Sequence, residues 1–182
     1  MRSSTYIPLL AVLALAGCAA VSPGTLPSVS VINSLTFDNA MSGKRDGLRS
    51  AWPAATLSGS SEHFPMAQVK QCDKDGAACS WGVLKAHRSF SKARVTPGGM
   101  EVDFEVLVDV DRSHQAKTQD QDTTMTIPAN VSALQRKRLE KRTMVLAYGK
   151  PARIDFGYGI NYDLCAQRLD AQGKPLDKCE VG

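Results

Sequence analysis

Between Met100 and Asp111 the side chains alternate in character. Met100, Val102, Phe104, Val106, Val108 and Val110 are apolar, and Glu101, Asp103, Glu105, Asp109 and Asp111 stand between them. A two-residue period puts one set on each face of an extended strand and fits no helix. Such a strand needs neighbours and a core on one side, which commits the chain to β structure. Upstream, "VLKAHRSFSKARV" leads into the turn cluster Thr96–Gly99, "TPGG". Folding back across that loop sets Val95 opposite Met100 and Ala93 opposite Val102. It also sets Arg94 opposite Glu101 and Lys92 opposite Asp103. Apolar pairs on one face and opposite charges on the other specify this register, because a one-residue slip would set Arg94 against Val102. Continued without a break, the same phase puts His87 on the apolar face as a packing residue.

A second alternation runs from Arg153 to Ala166. Ile154, Phe156, Tyr158, Ile160, Tyr162 and Leu164 occupy every second position, which predicts one strand with Gly157 and Gly159 on its other face. Tyr148, Phe156, Tyr158 and Tyr162 read as core aromatics rather than a binding groove. Asp170 and Gly173 suit a short turn after this strand, centring a hairpin on Gln172. Pro175 then suggests that the last strand sits at a sheet edge.

Elsewhere the signal is weaker. "SLTF" and "MAQVK" suit short strands, while "GKRDG" and "SGSSEHFP" read as loops. "SHQAKTQDQDTT" reads as a polar loop before a short strand at Met125–Ile127. Ser132-x-x-Gln135 has the form of a capping box, predicting a brief surface helix to about Arg142. The fold expected is mainly β: an antiparallel β-sandwich or partly open barrel with one short helix.

The amino terminus begins with Met1-Arg2 and is apolar from about Tyr6 to Ala16, too short for a membrane crossing of about 20 residues. A short apolar run after a basic start has the form of an export signal. Leu15-Ala16-Gly17-Cys18 resembles the lipobox of bacterial lipoproteins. The resemblance covers only this segment. It implies a signal peptide over residues 1–17, cleavage before Cys18, and lipidation (palmitate included) of Cys18 itself. By resemblance to Gram-negative sorting, Ala19 in place of Asp favours the outer membrane, with the protein facing the periplasm. Residues 18–36, rich in Ser, Pro and Gly, read as a flexible tether, and residues 37–182 as a single extracytoplasmic β domain. Removing residues 1–17 from 182 leaves 165, enough for one core.

Cys72, Cys79, Cys165 and Cys179 remain, an even set that in an oxidising compartment reads as two disulfides. Three connectivities are open, of which the local pairs Cys72–Cys79 and Cys165–Cys179 are favoured. A hairpin centred on Gln172 makes Cys165 and Cys179 equidistant from its tip. By loop entropy the two bridges contribute roughly 2.5 and 3 kcal/mol.

Three groups of residues suggest chemistry. Arg136, Lys137, Arg138, Lys141, Arg142, Lys150 and Arg153 form a basic segment suited to an acidic envelope partner, or to a solvated helix face. No aromatics interleave the basic helix segment as single-stranded nucleic acid would require, so no nucleic-acid partner is expected. Asp109, Asp111, His114, Asp120 and Asp122 are dense in carboxylates but match no metal-loop pattern, and neither metal nor cofactor is expected. Ser58–Ser61 lies near His63 in sequence, yet there is no G-x-S-x-G and no catalytic residue is assigned. The function expected is a non-enzymatic, lipid-anchored, periplasm-facing binding or structural protein. It would hold the membrane through its lipid and bind a protein or envelope component. The alternatives are an inhibitor or immunity protein against a cell-wall hydrolase, or an envelope hydrolase. The last requires a pocket with His63, His87 or His114 beside a carboxylate or serine.

Overall fold

The computed structural model describes residues 28–117 and 122–182. Sheet A contains β1 (Ser28–Asp38), β2 (Arg45–Pro53), β11 (Ala152–Gly157) and β12 (Ile160–Leu169), ordered β11-β12-β1-β2. Sheet B contains β3 (Ser61–His63), β4 (Ala67–Cys72), β5 (Cys79–Thr96), β6 (Gly99–Asp111), β9 (Ser132–Ala133) and β10 (Arg136–Ala147). Its main path is β10-β6-β5-β3, with β4 antiparallel and β9 parallel to β5. A hairpin of β7 (Ser113–Lys117) and β8 (Asp122–Thr126) forms a separate ribbon, and α1 (Ala54–Leu57) is a single helical turn. Leu35, Phe37, Phe156 and Tyr162 of sheet A pack with Leu84, Phe90, Phe104 and Val106 of sheet B in one core. The architecture is the expected mainly antiparallel β-sandwich.

The β5–β6 hairpin keeps the register that its charge and apolar pattern demand. Val95 faces Met100, Ala93 faces Val102, Arg94 faces Glu101 and Lys92 faces Asp103. Arg94 and Lys92 both reach Glu101, at 2.7 and 3.2 Å. The phase then breaks. Phe90 pairs with Phe104 while Lys92 pairs with Asp103, leaving Ser91 as a bulge. Beyond it Phe90, Arg88, Ala86 and Leu84 turn inward, and Ser89, His87 and Lys85 turn outward. The expectation that His87 packs on the apolar face is therefore corrected.

Both disulfides form as expected, Cys72–Cys79 across β4–β5 and Cys165–Cys179 behind β12. The turn after β12 is centred on Gln172, with Leu169 bridging Pro175 and Gly173 N–H donating to Asp170. The chain beyond it forms no further strand, so Pro175 marks a tail rather than an edge strand. Cys179 and Val181 lie with Ile32 and Cys165 against the outer face of sheet A. Arg168 grips Asp177 through Nε (2.9 Å), Nη2 (2.8 Å) and the backbone N–H (3.0 Å), and these bonds draw the Asp177 carboxyl down to about 2.

Four other expectations are corrected. The tether expected over residues 18–36 does not extend over 28–36, because from Ser28 the chain is β1, buried from Val29 to Phe37, and residues 18–27 lie outside the described residues. Val29, Val31, Leu35 and Phe37 supply a core face that the serine-rich composition disguises. The run Arg153–Ala166 is two strands, not one. Tyr158 (φ 55°) and Gly159 (φ 69°) take the left-handed conformations that a two-residue hairpin turn needs. The polar "SHQAKTQDQDTT" contributes to β7 and β8 on either side of residues 118–121. The helix expected from Ser132 is absent, and β9 and β10 occupy its place. Here β6 demands a partner, and tertiary pairing overrides local helix preference.

At Gly99 β6 and β10 approach closely, since a Cβ there would overlap the backbone carbonyl of Leu146. Gly99→Ala is expected to lower unfolding free energy by about 1–3 kcal/mol in urea titration. Gly98→Ala, which meets open space, is expected to leave it unchanged.

Candidate functional site

The outward turn of β5 beyond Ser91 creates the most chemically distinctive surface of the molecule. His87 on β5 stands directly opposite His63 on β3 in antiparallel register. Their ring centroids are 4.4 Å apart and their planes are inclined by 40°. His114 reaches the same region from β7. The chain has three histidines, and all three line one groove.

The groove comprises two adjoining depressions of about 290 and 400 Å³ that share His63, Lys85 and Ala86. The polar end holds His87, His114, Asp109, Leu107 and Lys137. The apolar end holds Phe64, Pro65 and Met66 on one wall, with Ala116 and Lys117 on the other. β5 forms the floor, the β3–β4 connection one wall, and β7 the other. Lys85 secures the β7 wall by donating from Nζ to the Gln115 carbonyl at 2.8 Å.

Asp109 organises the polar end. Its Oδ1 lies 3.8 Å from His114 Nε2 and its Oδ2 lies 3.7 Å from Lys137 Nζ. His114 Nε2 is buried and has no hydrogen-bond partner among the described residues. A polar atom left in that condition costs about 1–3 kcal/mol, and this one lies at the groove wall. The His87 imidazole is held below its ordinary value, first by partial desolvation and then by neighbouring His63, while Glu105 acts in the opposite sense. His87 itself lines the polar end of the groove.

The basic segment is dispersed rather than gathered. Because residues 136–147 form a strand, successive side chains point to opposite faces. Lys137 and Lys141 face Asp109 and Glu105 across the β10–β6 pair, at 3.7 and 3.6 Å. Arg136, Arg138 and Arg142 point the other way, over the rings of Tyr158, Phe156 and Phe104. Arg136 and Arg138 donate to the carbonyls of Phe156 and Asp155, at 3.1 and 2.6 Å, and Arg138 also bonds Glu140. Arg153 is bound to buried Asp163, and Lys150 is exposed on the connection to β11. Intramolecular partners thus occupy most of this cationic charge. Phe156 and Tyr162 are core residues as expected, while Tyr148 and Tyr158 are only partly buried.

Of the acidic group, Asp111 accepts from Gln135 at 2.9 Å, which with the Arg112 N–H lowers its carboxyl pKa. Asp122 lies 4.0 Å from Lys117. No group of three or more His, Cys, Asp or Glu already stands in coordinating arrangement among the described residues. Cys18 and Asp120 lie outside the described residues. The histidine groove was not legible as a unit in the sequence. The alternation pointed at His87 but with the wrong face, because nothing in "SFSKA" marks Ser91 as the bulge. Compared with known protein families, with characterised proteins and with solved structures, the chain matches none.

Because folded His87 loses its proton below the ordinary imidazole value of 6.5, the unfolded chain binds more protons there. Its contribution to stability is present above that value and is lost as the pH falls through it. Urea midpoints of the wild type are expected to drop between pH 7.5 and 5. His87→Asn is expected to show a smaller drop over the same range.

Proposed function

We propose that this is a lipid-anchored, periplasm-facing binding protein of the bacterial outer membrane, acting without catalysis through the histidine groove. The observation that carries the binding role is the convergence of His63, His87 and His114 from three separate strands onto one groove with a polar and an apolar end. Binding surfaces of this type place a few polar groups against an apolar lining. The His114–Asp109 arrangement meets the geometric condition set above for the hydrolase alternative, a groove histidine beside a carboxylate, and supplies half of an acid–base pair. Among the described residues the groove lining contains no serine, threonine or cysteine to serve as a nucleophile, and this supports binding over acyl transfer.

Two features support the envelope setting. Leu15-Ala16-Gly17-Cys18 has the lipobox form, and both remaining cysteine pairs are oxidised, which suits an oxidising compartment. Several acyl chains on Cys18 would hold the domain at the membrane more firmly than one chain alone.

Fractionation tests the anchor. Cys18→Ala is expected to move the protein from the membrane to the soluble periplasmic fraction, and unchanged sedimentation would refute it. For the groove, a photo-crosslinking residue placed at Ala116 is expected to capture an envelope species that the same residue at remote Lys174 does not. Capture of a cell-wall hydrolase would assign the groove to inhibition instead.

A further inference from the structure

His63 and His87 are opposed on adjacent antiparallel strands, and both project from the outward face of sheet B. Directly opposed residues of this kind have Cβ atoms about 4.5–5.5 Å apart, which lets two imidazoles turn their nitrogens toward a common point. The strand pairing fixes the two backbone positions and already holds the ring centroids 4.4 Å apart, so only side-chain rotation remains to be restricted when an ion joins them. We propose that the groove binds a late first-row transition ion, Cu²⁺ before Zn²⁺, with His63 and His87 as its two protein ligands.

The surroundings argue for this class of ion. Neutral imidazole suits copper, zinc and nickel, and among these divalent ions copper binds most tightly. Calcium and magnesium would need several carboxylate or carbonyl oxygens, whereas among the described residues the lining of the polar end offers only the Asp109 carboxylate. That carboxylate is already shared between His114 and Lys137. Lys85 and Lys137 oppose any cation, but each ammonium is directed to another partner, the Gln115 carbonyl and Asp109 respectively. Their repulsion limits affinity and selects for dative bonding over simple charge attraction.

No third ligand stands in coordinating position among the described residues. An ion held by two imidazoles therefore keeps open positions for water or for a donor atom of an incoming molecule. That is the arrangement of an exchangeable ion, or of one that bridges protein and ligand, rather than of a buried structural metal. The inference rests on the groove being the binding site and adds the class of ligand.

Full-length lipidated protein in detergent would be titrated with Cu²⁺, and separately with Zn²⁺, in a non-chelating buffer. The expected result is one ion per chain, with nitrogen splitting in the Cu²⁺ paramagnetic resonance spectrum. His63→Asn and His87→Asn are each expected to weaken binding tenfold or more. His114→Asn is expected to weaken it less, and a hundredfold excess of Mg²⁺ to leave it unchanged. Near-ultraviolet circular dichroism checks that each variant remains folded. Binding within twofold of wild type in either the His63 or the His87 variant would overturn the proposal, as would selective loss in His114→Asn or a Cu²⁺ spectrum without nitrogen splitting. Crosslinking from Ala116 uses no metal, so captured envelope species alongside a negative titration would remove the ion and leave the groove's binding role standing.

Discussion

At Ser91 strand β5 carries one residue more than β6 can match, and the sandwich is organised around that mismatch. Side chains on a strand alternate with a period of two, so a single unpaired residue exchanges the faces of everything beyond it. On the turn side of the bulge Val95 and Ala93 pair with Met100 and Val102; on the far side Phe90, Arg88, Ala86 and Leu84 continue the inward set. Without the extra residue, Ser89, His87 and Lys85 would enter the core and Arg88 would leave it. The burial of an arginine and the exposure of the groove histidine are two consequences of one irregularity.

Arg88 is fully buried, and its charge is met from several sides. Its Nε and Nη2 donate to one oxygen of Glu62 at 3.1 and 2.6 Å, and the guanidinium lies over the rings of Trp52 and Phe90. Glu62 in turn accepts from Ser50 of β2, which receives a bond from Asn33 of β1. A polar chain thus links sheet A to sheet B through the interior. Arg88 Nη1 and the Tyr162 hydroxyl have no hydrogen-bond partner among the described residues, and burial pushes the Tyr162 phenol pKa up, so it stays neutral. A buried pair of this kind adds little net stability, yet removing one partner alone is costly because a bare charge is left behind. Its effect is to fix which faces of the two sheets meet at the β2–β3 side.

The opposite side of the sandwich uses arginine differently. β10 and β11 are the outer strands of their sheets and are not hydrogen-bonded to each other through a ladder. Arg136 and Arg138 cross from β10 to β11 carbonyls, and with Arg142 they cover aromatic rings that the seam would otherwise expose. Inward-pointing charge on an edge strand also discourages pairing with another chain. The same basic residues that suggest a partner-binding patch in one dimension therefore serve the molecule's own seam.

Much of the fold was legible from local pattern. The alternation of β6, the charge pairs of the β5–β6 hairpin and the turn centred on Gln172 each follow from neighbouring residues, and both disulfides agree with that reading. These features depend on contacts a few residues apart, so their pattern survives in the linear text. Three others do not. β1 is buried on both faces because it is central in sheet A, with sheet B packed on one face and the carboxy-terminal tail on the other, and its serines hide that role. Residues 136–147 are extended because β6 needs a partner, although their composition suits a helix. The groove exists only because the bulge at Ser91 turns His87 outward, toward His63 and beside His114 on the β7 wall. The sequence by itself determined the strands that pair with near neighbours. Tertiary structure alone decided the central strand, the basic edge and the site, because each depends on which distant surface lies opposite it.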